Sequence, residues 1–249
     1  MKRSFFASLI LFSVAGLAAG CGSPTETNMP VGQEQSDWTA TPVVKVVLRT
    51  AQGVRVSGST SPQGRVVLRG GDGPAYATGS DEEGRFSMVI DRPTRDGLFV
   101  VESRRGEQVA LAPYEVLIAA DERGPIALVG EGTATLRLDS AGPLDAIDSD
   151  GRALLASGRA PPQSEVLVRI GERMPLPVVS NAEGRWSLNL MLDGAGPITV
   201  VVGERRYVYP GPGSPPAEGA PVLASVGEGW QIVRSLAPGS WQSSWFPAG

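Results

Sequence analysis

The sequence predicts an all-β protein: two tandem β-sandwiches and a short C-terminal β-hairpin, set behind a cleaved signal segment and a flexible tether. Three observations predict it. Apolar residues alternate with polar ones at a period of two, as in Phe86, Met88 and Ile90, or Trp186, Leu188 and Leu190, which marks strands with one buried face. Turn signals separate these runs: Ser61-Pro62-Gln63-Gly64, Asp81-Glu82-Glu83-Gly84, Arg95-Asp96-Gly97 and Asn181-Ala182-Glu183-Gly184. An Asp or Asn bonds nearby backbone there, and glycine takes the positive φ. The third observation is a repeat at a constant offset of 100 residues. Ser57-Gly58 recurs as Ser157-Gly158, Pro62-Gln63 as Pro162-Gln163, Val66 and Arg69 as Val166 and Arg169, and Glu83-Gly84-Arg85 as Glu183-Gly184-Arg185. One unit is present twice.

In chain order, residues 1–20 come first. Met1-Lys2-Arg3 is basic, Phe5 to Ala15 is mostly apolar, and Leu17-Ala18-Ala19-Gly20 closes the run with small side chains before Cys21, the single cysteine of the chain. This is the order of a secretory signal, too short to span a bilayer. A lone cysteine after small residues resembles the lipobox of bacterial lipoproteins, although Ala18 stands where leucine is commoner. The resemblance implies removal of residues 1–20, lipidation of Cys21, and, with Gly22 rather than Asp after it, an outer-membrane destination. The alternatives are an ordinary secreted protein cleaved near Ala19 or Gly20, or an uncleaved segment. Residues 21–41 are polar, with Pro24, Pro30 and Gly32, and read as a flexible tether.

Residues 42–120 form the first predicted sandwich and 121–210 the second with its lead-in strands. Residues 211–221 are a Pro/Gly linker, and 222–249 a tryptophan-rich hairpin. The order Ser157-Gly158-Arg159-Ala160-Pro161-Pro162, Glu165-Val166-Leu167-Val168, then Asn181-Ala182-Glu183-Gly184-Arg185-Trp186-Ser187-Leu188 resembles a bacterial Ig-like module. The first copy matches through Ser57 to Ser87, with Phe86 in the tryptophan's place. Ile126 to Asp148 is similar to the lead-in of such modules in alphaproteobacterial envelope proteins. Many of those continue into a LysM peptidoglycan-binding domain, and no LysM pattern follows Tyr209. The resemblance implies tandem Ig-like sandwiches and does not carry wall binding across.

Composition narrows the function. Loss of residues 1–20 takes Lys2 and Arg3 and leaves 20 basic against 26 acidic side chains, which argues against nucleic acid. There is no histidine, so the usual general base, the Ser-His and Cys-His systems and the commonest zinc ligand are absent. Carboxylate pairs remain, but the acidic residues read as solvated turn charges: Asp81, Glu82 and Glu83; Asp121 and Glu122; Asp145, Asp148 and Asp150. The run Asp145 to Gly151 also has a second reading as a weak calcium loop, without the regular ligands of an EF-hand.

Three of the five tryptophans fall in the last twenty residues. Trp230, Trp241, Trp245 and Phe246 therefore have two readings. They are sheet-covering aromatics paired across strands, or an exposed platform for sugar rings or a partner protein. Trp241 and Trp245, four apart, share one strand face in either case. The functional expectation is a non-catalytic, lipid-anchored envelope protein acting as a binding or scaffold module. Its expected partners are the membrane, through Cys21, and peptidoglycan or another envelope protein. No cofactor or metal is expected. The alternatives are a purely structural spacer or assembly subunit, and a carboxylate-dependent hydrolase.

Overall fold

The computed structural model describes residues 39–249 except 72, 140–141, 193, 195, 217–220 and 237–238. The signal segment, Cys21 and nearly all of the expected tether lie outside the described residues. Among those described there are strands and no helix. The first sandwich holds β1 (Val43–Thr50), β2 (Gly53–Ser59), β3 (Arg65–Gly70), β4 (Ala75–Gly79), β5 (Arg85–Ile90), β6 (Gly97–Arg105) and β7 (Gln108–Ile118), followed by β8 (Ile126–Gly130) and β9 (Leu136–Arg137). The second holds β10 (Leu144–Ser149), β11 (Ala153–Arg159), β12 (Glu165–Ile170), β13 (Leu176–Val179), β14 (Arg185–Met191), β15 (Ile198–Val202) and β16 (Arg205–Tyr209), followed by β17 (Val222–Ser225), β18 (Gly229–Ser235) and β19 (Trp241–Pro247).

Both sandwiches have one topology. Sheet order β1-β2-β5 faces β4-β3-β6-β7 in the first, and β10-β11-β14 faces β13-β12-β15-β16 in the second. This is the three-on-four arrangement of an Ig-like sandwich. The match extends to irregularities: the register of β1 on β2 slips between Val44 and Val46, and that of β10 on β11 between Leu144 and Ala146.

The repeated residues are those the turns and close approaches demand. Gln63 and Gln163 both take φ of 54°, and Gly84 and Gly184 lie at +78° and +72°. Asp81 Oδ1 accepts from the N–H groups of Glu83 and Arg85 at 3.1 and 2.7 Å, and Asn181 Oδ1 does the same for Glu183 and Arg185 at 3.0 and 2.8 Å. Ser80 and Ser180 donate to the carbonyls of Ser61 and Pro161 at 2.7 and 2.6 Å. At Gly58 and Gly158 a Cβ would stand 1.9 and 2.0 Å from the carbonyls of Val43 and Pro143, and against the rings of Phe86 and Trp186. No side chain fits there, so the aromatic of β5 or β14 lies directly on the glycine.

Each sandwich then extends one of its sheets. The first continues past β7 to β8 and β9, and the second adds β19, β18 and β17 beyond β10. The two extensions pack face to face. Leu117, Ala119, Ala127 and Val129 of the first meet Ala146, Leu223, Ile232 and Phe246 of the second, making a third hydrophobic core between the sandwiches. Val116, Ile118, Ile126 and Leu128, on the opposite face of the same strands, belong to the core of the first sandwich. Strands β7 and β8 are thus apolar on both faces, which explains the uninterrupted runs Val116-Leu117-Ile118-Ala119 and Ile126-Ala127-Leu128-Val129.

The structure departs from the expected organisation in three places. The lead-in at 121–150 is divided: β8 and β9 complete a sheet of the first sandwich, and β10 opens the second. The C-terminal hairpin is present as β18 and β19, but a third strand, β17, joins it and it does not stand apart. Strand β19 pairs with β10 through Ile147↔Trp245, Asp148↔Ser244 and Ser149↔Ser243. The last residues assigned to the tether are held: Ala40 N–H donates to Ser61 Oγ at 2.6 Å, and its carbonyl accepts from Thr60 and Ser103 at 2.9 and 2.8 Å.

Candidate functional site

The β17–β18 turn is built around Trp245. Its indole N–H donates to the Val226 carbonyl at 3.2 Å, and Val226 N–H closes the turn on the Gly229 carbonyl at 3.0 Å. A Cβ on Gly229 would lie 2.2 Å from the Phe246 carbonyl and 2.9 Å from the Trp245 ring, so only glycine lets the chain pass there. The next residue, Trp230, pairs across the strands with Phe246 and packs against the third core while remaining partly exposed.

Facing it is the β7–β8 turn of the first sandwich. Gly124 N–H donates to the Asp121 carbonyl at 2.9 Å, and Arg123 N–H to Asp121 Oδ1 at 2.8 Å. Arg49, at the end of β1, donates to the carbonyls of Ala119, Asp121 and Gly124 at 2.9, 3.1 and 3.2 Å and pins the turn. Burial pulls the Arg49 guanidinium below its ordinary value, opposed by Asp139, Glu122 and Asp121. Arg137, fully buried, forms a bidentate pair with Asp139 at 2.8 and 2.9 Å and donates to the Pro247 carbonyl. Between these walls lies a cleft of about 760 Å³ lined by Arg49, Asp121, Glu122, Arg123, Arg137, Asp139, Ser225, Glu228 and Trp230 among others. Arg49, Asp121, Arg137 and Asp139 are held in these walls by hydrogen bonds made within the protein.

The four tail aromatics do not form one platform. Trp245 and Phe246 are fully buried on opposite faces of β19. Trp245 meets Tyr209 edge-on in the second core, with centroids 5.9 Å apart and planes at 66°, and Phe246 belongs to the third core. A partner-binding role fails for these two because sheets cover both faces of the strand. Trp241 keeps partial exposure and lies over Gly151, where a Cβ would stand 2.9 Å from its ring. Of the four, Trp230 alone lines the cleft.

The carboxylates of β10 are also placed differently from the sequence reading. Asp145 is fully buried between Arg159, at 2.8 Å, and Arg185. Asp148 is buried on the same face, toward the first sandwich, because the register slip between Leu144 and Ala146 turns Asp145 to that side as well. Asp148 accepts from the N–H and Oγ1–H of Thr135 at 2.8 and 2.7 Å, from Ser244 Oγ at 2.5 Å and from Gln242 Nε2 at 3.3 Å. Burial pushes its carboxyl up, against the pull of the Ser244 and Thr135 hydrogen bonds. Asp150 caps the next turn by accepting from the N–H groups of Arg152 and Ala153 at 2.9 and 2.8 Å. Asp145 and Asp148 are therefore not solvated turn charges. The three carboxylates diverge to different partners, and they cannot converge on a calcium ion. Among the described residues no three His, Cys, Asp or Glu side chains gather as a metal site.

Sequence reasoning missed Arg49, Arg123 and Glu228 as cleft residues. Arg49 reads as the polar end of an alternating strand, and the other two as turn charges. The cleft exists only because the C-terminal strands return to the first sandwich, and no local pattern announces that return.

No family model matches the chain, and no curated protein matches it in sequence. Among solved structures the chain is similar to invasin, a bacterial integrin-binding protein, at 10% identity and a TM-score of 0.21. The alignment covers 85% of this chain and 54% of invasin, so the chain spans about half the length of that neighbour.

Proposed function

We propose that the chain is a lipid-anchored, non-catalytic protein of the cell envelope whose body serves as a binding or scaffold module for peptidoglycan or another envelope protein. The order of residues 1–21 supports the anchor, with Cys21 as the lipidated residue and Gly22 favouring the outer membrane. The observation that carries the binding reading is the third core. It fuses two sandwiches face to face and, in doing so, walls a preformed cleft beside Trp230. A spacer gains length by joining sandwiches end to end, whereas lapping them shortens the body, so the fused arrangement favours presentation of a surface over reach.

Membrane fractionation of the full chain and its Cys21→Ala variant tests the reading. Wild type sediments with the outer-membrane fraction and incorporates labelled palmitate, while the variant loses the label and moves to the soluble fraction. Palmitate-free wild-type protein, or a variant that still sediments with membranes, would overturn the anchor.

A further inference from the structure

We propose that the cleft beside Trp230 binds a short oligosaccharide. This rests on the binding-module reading above and names the ligand class. The indole of Trp230 is held from behind by the third core, so one aromatic surface stays in place at the cleft wall without loss of side-chain freedom on binding. Around it stand groups of both signs. The guanidiniums of Arg49 and Arg123 and the carboxylates of Asp121, Glu122 and Glu228 line the same cleft.

That combination decides between ligand classes. An apolar ligand would strip water from these charges with nothing to replace it. An anion such as a phosphate meets carboxylates alongside the guanidiniums, and a cation meets guanidiniums alongside the carboxylates, so neither finds a field of one sign. A pyranose fits both features. Its hydroxyls donate to carboxylates and accept from guanidiniums, and its C–H face lies flat on an indole. Charge-assisted hydrogen bonds of this kind are the stronger ones. The volume, about 760 Å³, lies within the roughly 300–1,000 Å³ span of small-molecule sites.

Preorganisation supports the same assignment. Arg49 is fixed on three carbonyls, and Asp121 is fixed by the Arg123 N–H. Arg123 and Glu228 remain exposed at the rim. Fixed walls with exposed charged rim groups suit a ligand that presents many weak, directional contacts.

The test is titration of the full chain, extracted in a non-glycosidic detergent, with chitotetraose, followed by intrinsic tryptophan fluorescence and by calorimetry. Saturable binding is expected, weakened by roughly tenfold or more in Trp230→Ala, the loss typical of an aromatic anchor, and unchanged in Trp241→Ala. Glu228→Gln, at an exposed position that leaves the fold intact, provides a second reading and should weaken binding severalfold. Absence of saturable binding to chitotetraose and to maltotetraose would overturn the proposal. So would binding indifferent to both Trp230→Ala and Glu228→Gln, or binding only to a cationic peptide run as a control. None of these results bears on membrane attachment, which the Cys21→Ala fractionation reads separately.

Discussion

At the scale of single residues, Asp148 holds the most consequential position in the junction. It is a carboxylate with neutral donors on every side: Thr135, Ser244 and Gln242. The nearest cation along the network, Arg234, reaches it only through Gln242, at 3.4 Å from Gln242 Oε1, and is itself paired with Glu115 at 2.9 Å. Burial raises the carboxyl above its unfolded value, near 3.9. Within the window from that value up to the folded one, the native state binds more protons than the unfolded chain. The contribution of Asp148 to stability is therefore greatest at low pH and falls as pH rises through the window. Asp81 and Asp150 act in the opposite sense. Each is held low mainly by a backbone N–H, from Arg85 and Ala153 respectively, and its stabilisation is lost as pH falls. A comparison with Asp148→Asn isolates the first effect, since the other two are common to both proteins. The hydroxyls of Thr135 and Ser244 can rotate to accept from an amide. Urea unfolding between pH 4 and 8 should find the variant at least as stable as wild type at pH 7, with that advantage shrinking toward pH 4. A variant less stable at pH 7, or a difference independent of pH, would contradict this account.

At the scale of elements, β19 ties two cores together because its two faces carry different cargo. Trp245 enters the second core and Phe246 the third, while Trp241, on the Trp245 face, covers Gly151 at the sheet's end. Trp245→Ala should cost about 3–5 kcal/mol, the range for emptying a large buried aromatic, and Trp241→Ala about 1 kcal/mol, since its ring is only partly buried. Midpoints of urea denaturation read both, and equal costs would mean that β19 does not enter the core as described. The same strand shows where the sequence is legible. The repeat, the turns and the alternation in β5 and β14 follow from chemistry within a few residues: an Asx side chain bonding two N–H groups, a glycine under an aromatic, a glutamine with positive φ. The sharing of a face by Trp241 and Trp245 follows from the pleat. The pairing of β19 with β10 does not, because its partner lies nearly the whole second sandwich away in sequence. Strand β10 misleads for the same reason. Asp145 and Asp148 have the pattern of solvated charges until a second sheet covers them, and the cleft beside Trp230 is equally invisible until the extensions meet.

At the scale of the molecule, the two sandwiches are unequal partners joined by a shared core. The buried residues of the first core all lie between Val44 and Leu128, whereas the second core takes Trp245 from the C-terminal strands. Those strands are in turn held against the first sandwich by the third core and by the Arg234–Glu115 pair, with Thr135 bonded to Asp148 beside it. The first sandwich is therefore complete in itself, and the second depends on an element that the first helps to hold. Ile232, buried in the third core and absent from the other two, is the place to break this coupling. Ile232→Asp puts an unpaired carboxylate among Leu117, Ala127, Val129 and Phe246, at a cost of several kcal/mol. Scanning calorimetry of wild type should show one transition, and the variant two. The upper transition should belong to the first sandwich, whose own core is untouched. The lower should belong to the second, loosened through the strand that carries Trp245. Two transitions already present in wild type would mean that the third core joins the sandwiches without coupling them. A single lowered transition in the variant would mean that the first sandwich also needs the junction, so the asymmetry of the cores would not be the asymmetry of folding.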